Sequence, residues 1–283
     1  MTGLSFEFFP ARDDHSTRRL VQVADTLSRF DPTYFSVTFG AGASAREGTL
    51  KTLRALRRVR VPLSCHLCHA GQTVNELNSL TDELARIGVR RVVALRGDAE
   101  GSGAFETTDD FVRYLQDRNG FEISVAAYPD VHPKAASPEA DLACLLAKER
   151  AGAHHALTQF FFDTDDYLRF VERARRADVT IPIVPGLLPI HDIERAISFG
   201  KRCGSPVPDW VRARFERADD ARTARRVARE IIETQTIELA LAGAPGVHIY
   251  ALNKAELAVA AARAWRSVAG GKHAGLRAVK AAA

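Results

Sequence analysis

The 283-residue sequence lacks several features that mark membrane and secreted proteins. No apolar run approaches the ~20 residues of a membrane-spanning helix. The N-terminus has no basic region followed by an apolar stretch and a cleavage site, which is the pattern of a secretory signal. The four cysteines have no disulfide-framework spacing. These absences favour a cytoplasmic protein in a reducing compartment, without a membrane partner.

Sequence motifs for common cofactors and metals are also missing. The chain has neither G-x-G-x-x-G nor a P-loop, so a dinucleotide would not be bound by the Rossmann route. The segment Cys65–His69 reads C-x-x-C-H, the pattern of c-type haem attachment, but that attachment requires export. Zinc would need four ligands, and Cys144 and Cys203 lie far away without partner spacing. We therefore expect no metal site, and a strand whose cysteines pack as small hydrophobic side chains.

Charges of both signs are interleaved along the chain. Lys and Arg number 39, Asp and Glu number 35, and the net charge is +4. The basic excess is concentrated near residues 54–60, 212–229 and 272–280, without a recognition helix or an aromatic platform for nucleic acid. These runs favour solvated helix faces and no nucleic-acid partner, while the mild excess suits an anionic ligand.

Strand-like runs alternate with amphipathic helical patterns along most of the chain. The predicted strands are Leu4–Phe9, Tyr34–Phe39, Val61–Leu67, Arg91–Leu95, Glu122–Ala127, Ala156–Phe161, Ile181–Val184 and Gly246–Tyr250. Most starts lie about 30 residues apart, the repeat length of βα units in a parallel sheet. Eight such units predict an α/β fold of the (β/α)8 TIM-barrel type, with extra helices at Pro208–Ala242 between strands seven and eight. We expect one domain over residues 1–270 and a frayed tail at 271–283.

The first predicted strand places an acidic side chain among aromatic residues. Alternation in Ser5–Pro10 puts Glu7 on one face and Phe6 and Phe8 on the other. Apolar surroundings raise the pKa of a carboxyl group, so Glu7 is expected to hold its proton more tightly than a free Glu and to act as a general acid. A Glu on an edge strand that points to water explains this segment equally well.

Polar residues or glycines follow nearly every predicted strand. In a (β/α)8 barrel, catalytic groups lie at the C-terminal ends of the strands. Those ends carry Glu7, Thr38, His66, Arg96–Asp98, Tyr128, Gln159, Pro185–Gly186 and Tyr250. A purely structural barrel would not need so many polar ends. At Arg96–Asp98, a turn with a surface ion pair is at least as good an interpretation as a phosphate contact.

Seven segments, in order along the chain, carry a family resemblance. They are Ser5–Pro10 (SFEFFP), Ser36–Gly40 (SVTFG), Ala94–Asp98 (ALRGD), Ser124–Pro133 (SVAAYPDVHP), Thr158–Asp163 (TQFFFD), Pro185–Pro189 (PGLLP) and Tyr250–Asn253 (YALN). Each segment is weak alone, but the collinear set resembles the methylenetetrahydrofolate reductase family and covers nearly the whole chain. The length is similar to that of the bacterial catalytic barrel.

The resemblance implies a chemistry and a set of partners. It implies FAD at the barrel mouth, reduced by NADH or NADPH and then oxidised by 5,10-methylenetetrahydrofolate to give 5-methyltetrahydrofolate. One face that serves two substrates in turn predicts a ping-pong mechanism. The resemblance also implies a homo-oligomer. No ribose-reading motif distinguishes NADH from NADPH.

The resemblance assigns roles to individual residues. Glu7 matches the acid that protonates N10 of the folate, and Asp98 matches the acidic residue beside the flavin and pterin. The positions that match the cofactor site are Thr38, His66, Leu95, Arg96, Gly97, Asp98, Ala126, Tyr128, His132, Asp141 and Lys148. The positions that match the substrate site, besides Glu7, are Gln159, Arg195, Phe199 and Lys254.

Some of these positions have a second interpretation from the sequence alone. His132 fits a structural loop histidine as well. Asp141 and Lys148, seven residues apart on one predicted helix, also fit an ordinary solvated face.

At four positions this chain departs from the family pattern. Cys144 stands at an Asn position and Ala147 replaces a basic residue, both on the flavin side. Arg195 replaces a common Gln, and Lys254 replaces a common Arg. The first two departures keep a flavin-free reductase open as an alternative, and a non-catalytic folate- or flavin-binding barrel is a second one. A third is a partner subunit in a methyl-transfer complex.

Overall fold

A computed structural model describes residues 3–39, 43–99, 103–118 and 120–281, and their side chains except at 43–45 and 270–281. Within these ranges, eight parallel strands close into a barrel in sequence order. The strands are β1 (Leu4–Phe8), β2 (Tyr34–Val37), β3 (Leu63–Cys68), β4 (Arg91–Leu95), β5 (Glu122–Ala127), β6 (His155–Phe160), β7 (Ile183–Leu187) and β8 (Val247–Tyr250). The predicted (β/α)8 barrel is confirmed, with β4 and β5 at their predicted bounds and the other strands shifted by one to three residues at one or both ends.

Helices follow the strands and cover the outside of the barrel. They are α1 (Asp14–Ser28), α2 (Ala43–Leu56), α3 (Val74–Ile87), α4 (Thr108–Gln116), α5 (Pro138–Arg150), α6 (Thr164–Arg176), α7 (Ile193–Cys203), α8 (Asp209–Glu216), α9 (Ala221–Leu241) and α10 (Glu256–Ala281). Helices α8 and α9 occupy the interval in which extra helices were predicted. Helix α10 includes most of the tail, but the side chains of 270–281 and all of 282–283 lie outside the described residues, so fraying of the tail stays a prediction.

The alternation of side chains along each strand separates two layers. On β1, Phe6 and Phe8 are fully buried in the core between the strands and the helices. On β8, Val247 and Ile249 lie in that same core. The alternate residues of both strands therefore point into the barrel, and this placement brings their polar side chains together.

A smaller apolar cluster lies beside the C-terminal ends of the strands. It contains Phe160 and Phe162 at the end of β6, Val211 of α8, and Val227 and Ile231 of α9. The extra helices thus supply a second core next to the strand ends, and this core supports the loops after β6 and β7.

Candidate active site

A carboxylate between two histidines lies inside the barrel. Glu7 comes from β1, His66 from β3 and His248 from β8. The Oε2 atom of Glu7 lies 3.0 Å from Nε2 of His66 and 3.2 Å from Nε2 of His248. Glu7 is 8% exposed and His248 is fully buried. The three side chains therefore form one cluster with little access to water.

Closure of the barrel explains why this cluster forms. Strand β1 pairs with β2 on one side and with β8 on the other, and the register sets Ser5 opposite His248. The Oγ atom of Ser5 lies 2.7 Å from Nδ1 of His248, whose Nε2 faces Glu7. Both ring nitrogens of His248 thus have a partner, which fixes the orientation of the imidazole.

The pKa of Glu7 differs from the sequence-based expectation. Burial raises it, but the charge of His66 and the hydrogen bonds from His248 and His66 outweigh burial and lower the pKa of Glu7 to about 2. The expectation that Glu7 holds its proton more tightly than a free Glu is wrong for this arrangement. Phe6 and Phe8 lie on the opposite face of β1 and do not surround the carboxyl group of Glu7. Its actual neighbours are the two histidines. The edge-strand interpretation is also wrong, since Glu7 is buried in a closed barrel.

Tyr250 and the end of β6 lie next to His248. The rings of Tyr250 and His248 are nearly perpendicular with centroids 5.4 Å apart, and the Tyr250 hydroxyl donates to the Thr158 carbonyl at 2.8 Å. The backbone N–H of Gly186 donates to Thr158 Oγ1 at 2.8 Å. A methyl group on Gly186 would lie 2.3 Å from the Thr158 carbonyl oxygen, so only glycine fits here. These contacts fix the ends of β6, β7 and β8 beside the cluster.

Two predicted substrate residues lie near the end of β6 and on α7. Gln159 is half-buried, and its Oε1 accepts a hydrogen bond from the Phe160 N–H at 3.1 Å. The Phe199 ring stacks on Phe160 with centroids 5.4 Å apart, and the Arg202 guanidinium carbon lies 5.9 Å from the Phe199 centroid. Because Phe199 is only half-buried, part of it remains available for a ligand.

The two predicted cationic substrate residues are more peripheral. The side chain of Arg195 is 88% exposed, and its Nε lies 3.4 Å from Oδ2 of Asp192. Lys254 is exposed in the loop after β8. Among the described residues, no contact joins either cation to Glu7.

A cleft lies beyond the ends of β3, β4 and β5. Its volume is about 530 Å³, within the range of small-molecule sites. The predicted cofactor residues along its wall are Leu95, Arg96, Gly97, Asp98, Tyr128 and His132. Gly97 has φ +86°, and a Cβ there would lie 2.7 Å from the Cβ of Cys68, so the glycine lets the end of β4 pass close to β3. Asp98 is exposed at the rim and does not contact Glu7 in the described structure.

Three further predicted cofactor residues lie on β5 and α5, namely Ala126, Asp141 and Lys148. The backbone N–H of His132 donates to Asp141 Oδ2 at 3.0 Å, and Lys148 Nζ donates to the Ala126 carbonyl at 3.3 Å. The rings of Tyr128 and His132 are perpendicular with centroids 4.5 Å apart. Lys148 is buried, so the solvated-face interpretation is wrong for this residue. Burial raises the pKa of Tyr128 to about 12 and lowers the pKa of His132.

His132 also has a local structural contact. Its Nδ1 accepts a hydrogen bond from the Lys134 N–H at 3.0 Å, so the interpretation as a structural loop histidine fits as well. The remaining predicted cofactor residue, Thr38, is half-buried after β2, and its N–H donates to the Phe8 carbonyl at 3.0 Å. On α5, Cys144 is exposed and Ala147 is half-buried beside Lys148.

The two cysteines of β3 differ in burial. Cys65 is buried in the core and Cys68 is half-buried. Across the part of the chain that the structure describes, no three His, Cys, Asp or Glu side chains cluster as metal ligands. The helices in the same part are too short or too polar to cross a membrane.

Sequence reasoning missed Ser5 and His248 as members of the site. Both were visible as polar residues within predicted strands, at positions that alternate with apolar ones. The missing signal was the pairing of the first strand with the last, because only that pairing brings His248 to Glu7.

Comparisons with known proteins agree with the fold and show the family of the chain. A family model described as Methylenetetrahydrofolate reductase matches residues 1–264. The 5,10-methylenetetrahydrofolate reductases of Salmonella typhimurium and Escherichia coli are each 38% identical over 262 residues, with 91% of this chain and 88% of the relative covered. A solved structure of an uncharacterised protein from Clostridium thermocellum, which binds two copies of 5-methyl-5,6,7,8-tetrahydrofolic acid, has a TM-score of 0.63. It is 14% identical, covers 95% of both chains, and so bears on the fold alone.

Proposed function

The chain belongs to the methylenetetrahydrofolate reductase family, and from that premise we propose that it reduces 5,10-methylenetetrahydrofolate to 5-methyltetrahydrofolate with a reduced nicotinamide donor. The observation that carries this proposal is the buried Glu7–His66–His248 cluster, which can hold and deliver a proton beside the strand ends. The two substrates use one face in turn, in a ping-pong mechanism. The proposal includes a cytoplasmic location and self-association.

The residues around the cleft after β3–β5 fit a flavin. The cleft has the volume of a ligand site, Gly97 allows close approach of the backbone, and Arg96 and Lys134 add positive charge that suits a diphosphate. The residues that would hold FAD are Thr38, His66, Leu95, Arg96, Gly97, Asp98, Ala126, Tyr128, His132, Asp141 and Lys148. A bound FAD supplies a two-electron carrier between the nicotinamide donor and the folate.

The folate has candidate contacts on the other side of the cluster. The Gln159 amide would hydrogen-bond the pterin, and the half-exposed Phe199 ring would stack on whichever substrate is bound. Arg195 and Lys254 would attract the carboxylates of the folate. Asp98, at the rim of the cleft, would orient the pterin and tune the flavin.

The low pKa of Glu7 defines how the proton is delivered. With a pKa of about 2, Glu7 is ionised at neutral pH while the histidines are close. A proton that reaches N10 of the folate through Glu7 must therefore first be taken up by Glu7 from a neighbouring group or from solvent. Because burial favours the protonated carboxyl group, a weaker contact with His66 moves the proton onto Glu7.

Specific residues bear on two alternatives to the proposed function. Cys144 and Ala147 on α5 reduce the polar groups available to a flavin, which favours a flavin-free reductase. A non-catalytic binding barrel would not require the proton-holding cluster.

An absorbance spectrum of the purified protein over about 300–600 nm tests the proposal, because the cofactor carries the redox chemistry. We expect a flavin spectrum that bleaches on anaerobic addition of NADH or NADPH and recovers with methylenetetrahydrofolate. A colourless protein that takes up no FAD but reduces the folate would point to a flavin-free reductase. Folate binding without turnover in the presence of FAD would indicate a non-catalytic barrel.

A further inference from the structure

The pairing between β6 and β7 is interrupted at the mouth of the barrel. After Leu157 and Val184, the next paired residues are Phe160 and Gly186, so β6 uses one residue more than β7 between the two pairs. This interruption is a β-bulge at residues 158–159. Bulges often lie next to active sites, where they change the direction of a side chain.

The packing of the β6 side chains shows the same interruption. Ala156 lies in the core between the strands and the helices, whereas Leu157 packs with Val184 of β7 in a separate cluster. Regular alternation would turn Phe161 to the same side as Leu157. Phe161 instead lies in the core that contains Ala156. The alternation therefore changes between these residues, where the bulge lies.

Three side chains hydrogen-bond with the backbone at the bulge. The Gly186 N–H donates to Thr158 Oγ1 at 2.8 Å, and the Tyr250 hydroxyl donates to the Thr158 carbonyl at 2.8 Å. The Phe160 N–H donates to Gln159 Oε1 at 3.1 Å. Because Thr158 is fully buried, its polar groups need these partners. Side chains of β6 and β8 thus stabilise the bulge.

Tyr250 reaches β6 by crossing over β7. It lies on β8, where it pairs with Glu7, and β7 stands between β8 and β6 in the barrel. A Cβ on Gly186 would lie 2.8 Å from Tyr250 Cε2 and 2.9 Å from the Tyr250 hydroxyl oxygen, so the ring lies against this glycine. The absence of a side chain at position 186 lets a hydroxyl of β8 reach a carbonyl two strands away.

We propose that Tyr250 is a positioning residue for the folate: its hydroxyl holds the Thr158 carbonyl in the bulge, and the bulge directs the Gln159 amide to the substrate. The inference rests on the proposed function, in which Gln159 binds the pterin. Gln159 is half-buried, and its Oε1 is engaged by the Phe160 N–H. The two N–H groups of its amide have no acceptor among the described residues. The bulge therefore presents hydrogen-bond donors, which suit the carbonyl oxygen and ring nitrogens of a pterin.

The ring of Tyr250 has contacts of its own, which the test must leave intact. Its centroid lies 5.4 Å from that of His248 and 6.3 Å from that of Phe160. Tyr250→Phe keeps the ring and removes only the hydroxyl. An effect through His248 and Glu7 would alter proton delivery and hence kcat, whereas an effect through Gln159 alters folate binding.

The test measures kcat and KM for methylenetetrahydrofolate in Tyr250→Phe, in Gln159→Ala and in the double variant. Loss of one hydrogen bond that positions the amide should raise the folate KM about three- to tenfold in Tyr250→Phe. If Tyr250 acts through Gln159, the double variant should have the same folate KM as Gln159→Ala alone, because residues that act through each other are not additive.

Tyr167→Phe is the matched control. The Tyr167 hydroxyl donates to the Ile183 carbonyl at 2.8 Å, so each single Tyr→Phe variant loses one bond from a tyrosine hydroxyl to a strand carbonyl. Tyr167 lies on α6, outside the barrel. Both variants should lower Tm by about 2–4 °C, measured by circular dichroism. Tyr167→Phe should keep the folate KM within about twofold, and the KM of the nicotinamide donor should change equally little in both variants.

Nuclear magnetic resonance of the ligand-free protein follows the Gln159 amide without any substrate. With labelled Gln, the side-chain N–H signals of Gln159 are assigned through Gln159→Ala. These signals should shift in Tyr250→Phe and stay in place in Tyr167→Phe, since only the first variant releases the bulge.

The outcomes separate this inference from the proposed function. An unchanged folate KM in Tyr250→Phe, an equal rise in Tyr167→Phe, or additive losses in the double variant would overturn the inference alone. A fall confined to kcat would also overturn it, because the hydroxyl would then act through Glu7. If the unaltered protein reduces no folate, the proposed function fails and the Gln159 signals decide: a shift confined to Tyr250→Phe supports the positioning, and no shift overturns it.

Discussion

At the scale of single residues, the proton balance around Glu7 decides how the site can work. Burial favours the neutral carboxyl group, while His66 and His248 favour the carboxylate and prevail. Glu7 is therefore ionised at neutral pH and must take up a proton before it can donate one. The same arrangement makes the protonation of Glu7 sensitive to any movement of either imidazole.

Replacing His248 should raise the pKa of Glu7. His248→Asn removes a charge-assisted hydrogen bond, which contributes about 1.5–3 kcal/mol. At 1.36 kcal/mol per unit, the pKa should rise by about one to two units. Since the histidine lowers the pKa, its loss must increase the protonated fraction at every pH. The carboxyl carbon shift of Glu7, followed by NMR with labelled Glu and assigned through Glu7→Gln, measures this directly.

A matched replacement of another histidine separates the effect of His248 on the pKa of Glu7 from the general effect of losing a histidine. His155→Asn removes a half-buried histidine at the start of β6, beside Glu122, and should leave the Glu7 titration in place. A Glu7 signal that titrates near 4.5 in the unaltered protein, or that does not move in His248→Asn, would contradict the description of the cluster.

The residues of the site differ in how far the sequence predicts them. Glu7 stands out because a short motif places a carboxylate in an aromatic strand that ends at the catalytic face. His248 does not stand out, since its contact with Glu7 spans 241 positions and depends on closure of the barrel. The pKa of Glu7 depends on that long-range contact, so local composition predicted its direction wrongly.

At the scale of elements, strand β7 shows how a local signal can mislead. Its predicted end was Val184, because Pro185 and Gly186 are typical of turns. The observed strand is Ile183–Leu187 and includes both residues. Position 186 within this strand must be a glycine, because the Thr158 carbonyl and the Tyr250 ring approach its Cα too closely for any side chain. The glycine is thus required by packing between strands rather than by a turn.

Gly186→Ala should destabilise the protein and distort the end of β6. The added Cβ would lie 2.3 Å from the Thr158 carbonyl and 2.8 Å from Tyr250 Cε2. Overpacking of this kind costs about 1–3 kcal/mol, and each kcal/mol lowers Tm by about 2–4 °C in a chain of this order. Thermal unfolding followed by circular dichroism measures the change.

Gly48→Ala is the matched control for this prediction. Gly48 lies within α2, and a Cβ there would make only ordinary contacts, at 3.7 Å and beyond. Alanine has the higher helix propensity, so Tm should stay or rise slightly. Equal losses of Tm in the two variants would contradict the argument from close approach at Gly186.

At the scale of the whole molecule, the fold is more predictable than the bounds of its elements. The recurrence of βα units and the long interval before the last strand predicted both the (β/α)8 barrel and the position of α8 and α9. Closure of the barrel then places groups that are remote in sequence around one mouth, with Glu7 inside the barrel and a cleft beyond the ends of β3, β4 and β5. Under the proposed function, two substrates would use this mouth in turn. The Glu7–His66–His248 cluster cannot be predicted from the sequence before the strands are closed.

The most direct test of the account is the rate of each half-reaction in Glu7→Gln. We expect the rate of anaerobic flavin reduction by the nicotinamide to stay within a few-fold of that of the unaltered protein. Folate reduction, which needs the proton, should fall by about two decades or more, the usual effect of losing a general acid. Rapid-mixing absorbance measures both steps on one preparation. Equal losses in the two half-reactions would contradict the account, because Glu7 would then support the structure of the site rather than deliver a proton.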